Sequence, residues 1–265
     1  MIHSRMITNL PQEVQRKFEY ATSPVRSIPG VTVVIPIRGI ERIPNLRYCV
    51  SRLLQQNVEP IEIIISEEDQ REIVKLDDFR QDSRVRKIYT KSNGSPFNKC
   101  KAVNAGVVAA TYKSILMNDA DIILPRDYIF RVSNILYEYE ACFIAKEIYN
   151  MDLLRFGVIW RGGKRSDYFT GGSIGFTKDA FYKIGGMNEK FVGYGSEDCE
   201  FWTRISTLCK LHESRDAPLL HLNHKRQHHY SQNGTVYDET IGTPMEVRVA
   251  SLKEDLQKHI DGRVN

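Results

Sequence analysis

The 265-residue chain is predicted to fold as an α/β domain built on a βα-wound sheet flanked by helices. Three observations carry this. Short runs dense in valine and isoleucine alternate with segments of helical spacing. The first of them, VTVVIPI, is apolar and β-branched rather than alternating, as suits a parallel strand covered on both faces. Three of them end in polar or charged residues, at the carboxyl ends where such sheets bind ligands.

Taken in order, residues 1–29 are polar, interrupted by Pro11, Pro24 and Pro29, and are read as an N-terminal extension. VTVVIPI (31–37) is the first strand. Residues 44–57 then place Leu46, Val50, Leu53 and Leu54 at helical spacing. IEIIIS (61–66) and RVRKIYT (84–90) are further strands, residues 98–110 a helix with Val103 and Val107 on one face, and KSILMND (113–119) a fourth strand. The second half is less regular. Residues 125–139 read as a helix and 141–148 as a strand. Residues 155–176 carry six glycines, which suggests mobile or closely packed backbone. Residues 196–208 read as a helix with Ser196 as N-cap and Glu197 and Asp198 in its first turn. A polar loop over 224–244 and a terminal amphipathic helix from 244 complete the chain. No internal repeat or low-complexity tract occurs.

Hydrophobic residues make up 42% of the chain, enough for a sizeable core. The formal charge of +4, from 37 basic and 33 acidic residues, shows no clustered excess of the kind nucleic-acid binding needs. The five cysteines (Cys49, Cys100, Cys142, Cys199 and Cys209) form no CxxC pair, and their odd number suits a reducing compartment. The N-terminus has no signal-like apolar region, and no apolar run approaches the roughly 20 residues that span a bilayer. A soluble, cytoplasmic chain with at most peripheral membrane contact is expected.

Four constellations carry chemistry. In NDAD, Asp119 and Asp121 follow an apolar strand, where an unpaired charge is costly. If that segment is extended, i and i+2 point the same way and both carboxylates face one ion; the alternative is a solvated turn. Oxygen ligands suit Mg²⁺ or Mn²⁺, and an added imidazole tilts the choice to Mn²⁺. HLNHKRQHHY (221–230) holds four of the seven histidines, and it is either a plain loop or the source of that imidazole. In GYGSED (193–198), Glu197 and Asp198 either complement a helix dipole or present a carboxylate base. In SPFNKCKAVNAG (95–106), a loop opens a helix at Asn98 and Lys99, a setting that attracts phosphate. GxxxxGK[ST], GxGxxG and HExxH are all absent.

In this order, VIPIR, FNKCKAVNAG, NDAD, the block from Thr170 to Asp198 and a downstream histidine resemble GT-A glycosyltransferases. The likeness is to the β-1,4-galactosyltransferase branch, chondroitin-synthase-type enzymes and family 2 relatives, over about residues 30–230. The resemblance implies a GT-A mixed sheet over 30–243, with a nucleotide-binding half (30–124) and an acceptor and donor-sugar half (125–243), followed by a C-terminal helix (244–265). It implies metal-dependent, inverting transfer of a hexose or N-acetylhexosamine from a UDP-sugar to a hydroxyl acceptor, such as a glycan, with Mn²⁺ (or Mg²⁺) as cofactor.

Carried over to this chain, the resemblance puts Pro36, Arg38, Glu67, Glu68, Asn98, Lys99, Asp119 and Ala120 in the nucleotide site, with Lys99 near phosphate. Asp121 ligates the metal, with Asp119 beside it and His221 or His224 as a further ligand; the strand-end position favours His221. Gly171, Gly172, Tyr194, Glu197 and Trp160 belong to the sugar pockets, and Asp198 is the base. The Gly-rich 157–172 segment with Trp160 is either a lid or a connecting loop. The family often has tryptophan where Tyr194 stands, glycine where Ser196 stands and a third acid where Cys199 stands. Competing readings are another donor or a retaining outcome, a nucleotidyltransferase, and a non-catalytic binding protein.

Overall fold

The four apolar runs of the first half are strands joined by two helices, in the expected order. The computed structural model describes residues 6–19, 25–56, 58–79, 81–155, 157–165, 171–224 and 233. Its elements are β1 (Met6–Thr8), α1 (Gln12–Lys17), β2 (Arg26–Ile37), α2 (Ile43–Leu53), β3 (Val58–Asp69), β4 (Val85–Lys91), α3 (Lys99–Ala109), β5 (Ser114–Asn118), β6 (Ile122–Ile123), α4 (Tyr128–Glu138), β7 (Ala141–Leu154), β8 (Gly157–Arg165), β9 (Ser173–Thr177), α5 (Lys178–Lys183), α6 (Glu197–Leu208) and β10 (Leu211–Leu222).

All the described strands join one sheet. Its main path runs β1-β8-β7-β9-β5-β2-β3-β4, with β10 on β7 and β6 on β10. β5, β2, β3 and β4 are mutually parallel, and β9 is antiparallel to β5. This is the mixed α/β architecture expected. β2 is central, and its last eight residues are all buried, because helices cover both faces. α3 lies close on β2: a Cβ at Gly106 would stand 2.4 Å from Val34 Cγ1, so only glycine lets the helix seat there. The chain leaves β2 toward β3 and β4, then returns through α3 to β5 on the other side. The crevice beyond β2 and β5 is therefore the topological switch point, where such sheets bind ligands.

Two expectations change. Residues 6–18, read as part of an extension, belong to the body of the fold. β1 pairs with β8, and Leu10, Val14 and Phe18 are buried in the core. Of the prolines that suggested a tail, Pro11 is the N-cap residue of α1, and Pro29 lies within β2 at the register shift between Ser27 and Val31. Residues 157–165 form β8, antiparallel to β7, rather than a lid or loop. Glycine spacing concealed a strand that forms a hairpin with β7 and pairs on its other edge with the distant β1. Residues 166–170 and the terminal helix from 244 lie outside the described residues. Among the described residues, no helix is long and apolar enough to cross a membrane.

Candidate active site

Asp119 and Asp121 do not sit on an extended strand. β5 ends at Asn118, and residues 119–121 turn, with Ile122 N–H donating to Asp119 O at 3.1 Å. The turn is pinned from outside, since Asp119 N–H donates to Gly172 O at 2.9 Å. The two carboxylates therefore diverge into different parts of one cleft, instead of sharing one face. Asp119 goes to a lysine, not to the metal-ligand group.

That lysine is Lys99, at the start of α3. Its Nζ lies 2.9 Å from Asp119 Oδ1, 2.8 Å from both Asp198 oxygens and 3.7 Å from Glu197 Oε1. Burial alone would lower the ammonium's pKa, but Asp119, Asp198 and Glu197 hold it well above its usual value. Lys99 was expected near phosphate; here its buried charge is neutralised by carboxylates from the turn after β5 and the first turn of α6. Asp198 lies in the first turn of α6, where a helix dipole favours the ionised form. Burial, opposed by Lys99 and aided by Glu197 and Asp119, pushes the Asp198 carboxyl up to about 7.

The loop before α6 is tightly shaped. Ser196 takes the N-cap position with φ +70° and makes no side-chain cap, contrary to its expected role. Glu197 instead accepts from Gly195 N–H at 3.0 Å. α6 is anchored by Arg204, fully buried, which pairs with Glu200 and donates to the Ile184 and Gly186 carbonyls. At Gly171 (φ +127°), a Cβ would stand 2.5 Å from Asp198 Oδ2, so the glycine admits the carboxylate.

At the other side of the cleft, β10 runs antiparallel to β6, with His221 opposite Ile122, and Leu222 N–H donates to Asp121 O at 2.8 Å. This register brings His221 Nε2 to 3.8 Å and His224 Nε2 to 3.1 Å from the Asp121 carboxylate. One donor atom from each of the three lies within 4.8 Å of the others. Burial would raise the Asp121 carboxyl, but the His224 hydrogen bond, Arg42 and His221 hold it well below the usual range. His221 is lowered, chiefly by burial, so it favours the neutral form that ligates metal. A carboxylate with two imidazoles suits Mn²⁺, and the buried His221 Nδ1 has no hydrogen-bond partner among the described residues.

Of the expected residues, Pro36, Arg38, Lys99, Asp119, Ala120, Asp121, Gly171, Gly172, Tyr194, Glu197, Asp198, His221 and His224 line this cleft. Four do not. Glu68 sits behind Arg38, 3.1 Å away. Glu67 turns aside to accept the Ile73 and Val74 N–H groups. Asn98 caps α3 by accepting from Lys101 N–H, and donates to Glu189 O. Trp160 packs edge-on against Tyr149, 5.7 Å between centroids, away from the cleft. The sequence reading missed Arg42, Glu41, Phe97, Ile148 and Gly193, which also line it. Arg42 and Glu41 lie in the loop after β2, and that position was their one available signal.

Fold and cleft together define a GT-A-type protein, an α/β sheet with its site at the switch point. The chain belongs to glycosyl transferase family 2, whose sequence model matches residues 32–185. A second model, described as the N-terminal domain of galactosyltransferase, matches residues 160–228. Beta-1,4-galactosyltransferase 7 of Drosophila melanogaster is 30% identical over 111 residues, 41% of this chain and 30% of that protein. The match thus spans under a third of that relative's length. Among solved structures, the catalytic domain of Drosophila β1,4-galactosyltransferase 7 with xylobiose is 19% identical at a TM-score of 0.51, covering 83% of this chain and 84% of that one. TarS of S. aureus with UDP-GlcNAc is 13% identical at 0.55, covering 75% and 60%. GalNAc-T7 with UDP, GalNAc and Mn²⁺ is 12% identical at 0.59, covering 88% and 55%.

Proposed function

We propose that this chain is a metal-dependent, inverting glycosyltransferase that moves a hexose or N-acetylhexosamine from a UDP-sugar to a hydroxyl of a glycan acceptor. One observation carries the reading. A single cleft at the switch point holds both a metal-ligand group, Asp121 with His221 and His224, and a buried carboxylate whose pKa lies near neutrality, Asp198. The donor class is supported by proteins of the same fold, TarS with UDP-GlcNAc and GalNAc-T7 with UDP and Mn²⁺. The acceptor class is supported by xylobiose in the Drosophila galactosyltransferase.

Mn²⁺ held by Asp121, His221 and His224 would supply Lewis-acid stabilisation of the leaving diphosphate. The chain's own groups do the rest. Asp198 accepts the acceptor hydroxyl's proton as that oxygen attacks the anomeric carbon, and attack from the side away from the diphosphate inverts the configuration. Lys99 limits the rise of the Asp198 pKa and orients its carboxylate through two 2.8 Å hydrogen bonds. Glu197, held by Gly195 N–H, takes donor-sugar hydroxyls, and Tyr194 and Phe97 wall the sugar pockets.

The test is nucleotide release from a panel of UDP- and GDP-sugars with Mn²⁺ or EDTA, followed by NMR of the product anomer. Release from a UDP-sugar that EDTA and Asp121→Ala abolish, with an inverted product, is expected. A retained anomer would remove Asp198 from the role of base. Absence of release and of Mn²⁺-dependent UDP binding would overturn the reading.

A further inference from the structure

The Asp121 carboxylate is already occupied by a cation of the protein itself. Arg42 Nη2 pairs with Asp121 Oδ2, the same oxygen that lies 3.1 Å from His224 Nε2. Among the described residues, this is the one ion pair or side-chain hydrogen bond that the Arg42 guanidinium makes. The Asp121 side chain is 3% exposed, so its charge needs a partner at all times; the Arg42 side chain is 21% exposed and lies on the cleft wall. Arg42 ends a single 3₁₀ turn, Ile40–Arg42, between Gly39 and α2, and Gly39 has φ +87°. A short turn after a glycine carries the guanidinium, so the side chain can swing without moving the sheet.

A guanidinium stays charged at every working pH, so it cannot vacate the carboxylate by losing a proton. Arg42 and a divalent ion compete for the same carboxylate charge, and their own charges repel. Resting on the metal–diphosphate reading above, we propose that Arg42 is a resident counter-cation that excludes metal until donor arrives. Without nucleotide, it neutralises Asp121 and weakens divalent-ion binding. When the ion enters, Arg42 is displaced and pairs with the nearest anion on the cleft wall, the diphosphate of the nucleotide. Metal and nucleotide then each promote the other's binding, since such coupling is reciprocal. The metal group is filled chiefly when there is a diphosphate to receive Arg42.

The experiment is direct Mn²⁺ binding, read from the electron paramagnetic resonance signal of free Mn²⁺, with and without UDP. It compares the wild-type chain with Arg42→Met, which keeps the aliphatic stem, Arg42→Gln as a second neutral variant, and Asp121→Ala. Thermal melting checks that each is folded. Both neutral Arg42 variants are expected to bind Mn²⁺ alone about tenfold more tightly than wild type, and to lose most of the gain that UDP brings. If they bind Mn²⁺ no more tightly while Asp121→Ala abolishes binding, the counter-cation role is overturned and the metal site stands. If wild type and Asp121→Ala hold Mn²⁺ equally poorly with UDP present, the metal reading fails and this inference falls with it.

Discussion

Lys99 Nζ lies 2.8 Å from each carboxylate oxygen of Asp198, an ammonium held across the face of the proposed base. The same nitrogen reaches Asp119, so one buried cation ties α3, α6 and the turn after β5 together. Three acids around one lysine leave excess negative charge near Asp198, which together with burial sets its carboxyl at about 7.

The pH dependence follows. Asp198 must be ionised to accept a proton, and its pKa is raised, so kcat/KM should fall by roughly tenfold per pH unit below about 7. Lys99→Met removes the charge that lowers this pKa, so the acidic limb should move to higher pH. Asp198→Asn should lose about 10²- to 10⁴-fold of kcat above pH about 7, with a smaller deficit at lower pH and no acidic limb of its own. A pH–rate profile of the three proteins is the check. An unmoved limb in Lys99→Met would separate the lysine from the base.

Gly171→Ala should impair catalysis beyond its effect on stability. The added Cβ meets Asp198 Oδ2 at 2.5 Å, and φ of +127° disfavours any side chain. The backbone penalty is about 1–2 kcal/mol, but displacement of Asp198 should lower kcat by more than about tenfold. Thermal melting against kcat distinguishes the two.

His221→Ala and His224→Ala should each weaken Mn²⁺ binding in the presence of UDP by more than about tenfold, since each removes one of three ligand atoms within 4.8 Å. Isothermal titration calorimetry reads this. A single silent histidine would reduce the group to two members.

Arg204→Met should destabilise the fold by about 3–5 kcal/mol, because it leaves Glu200 buried and unpaired. Replacing both residues with apolar ones should recover much of that loss. Urea unfolding of the single and double variants measures it, and equal losses would count against pairing as the cause.

Much of the architecture is legible in short windows. VTVVIPI, IEIIIS and KSILMND are strands because apolar runs suit a doubly covered sheet, RVRKIYT is the partly exposed strand β4 at the end of the sheet path, and residues 98–110 contain α3 because their spacing and small residues suit a helix against β2. NDAD and GYGSED were found as strand-end and helix-start acids for the same local reason. Local patterns failed where the partner was distant. Residues 6–8 looked like part of a polar tail until β8 was there to pair with them, and the glycines of 157–165 concealed that strand although its other partner, β7, directly precedes it.

The sequence alone thus determined the α/β class, the order of the first strands and helices, and the acids that end them, since these depend on residue type within a few turns of chain. Only the tertiary structure decided who faces whom. The antiparallel seating of β10 on β6 put His221 and His224 beside Asp121, about a hundred residues away. The meeting of the first turns of α3 and α6 in the cleft put Lys99 on Asp198, and the loop after β2 put Arg42 on Asp121. A buried charge requires a partner, which the sequence can foretell; which partner it takes is set by sheet register and helix packing, and those are properties of the whole chain.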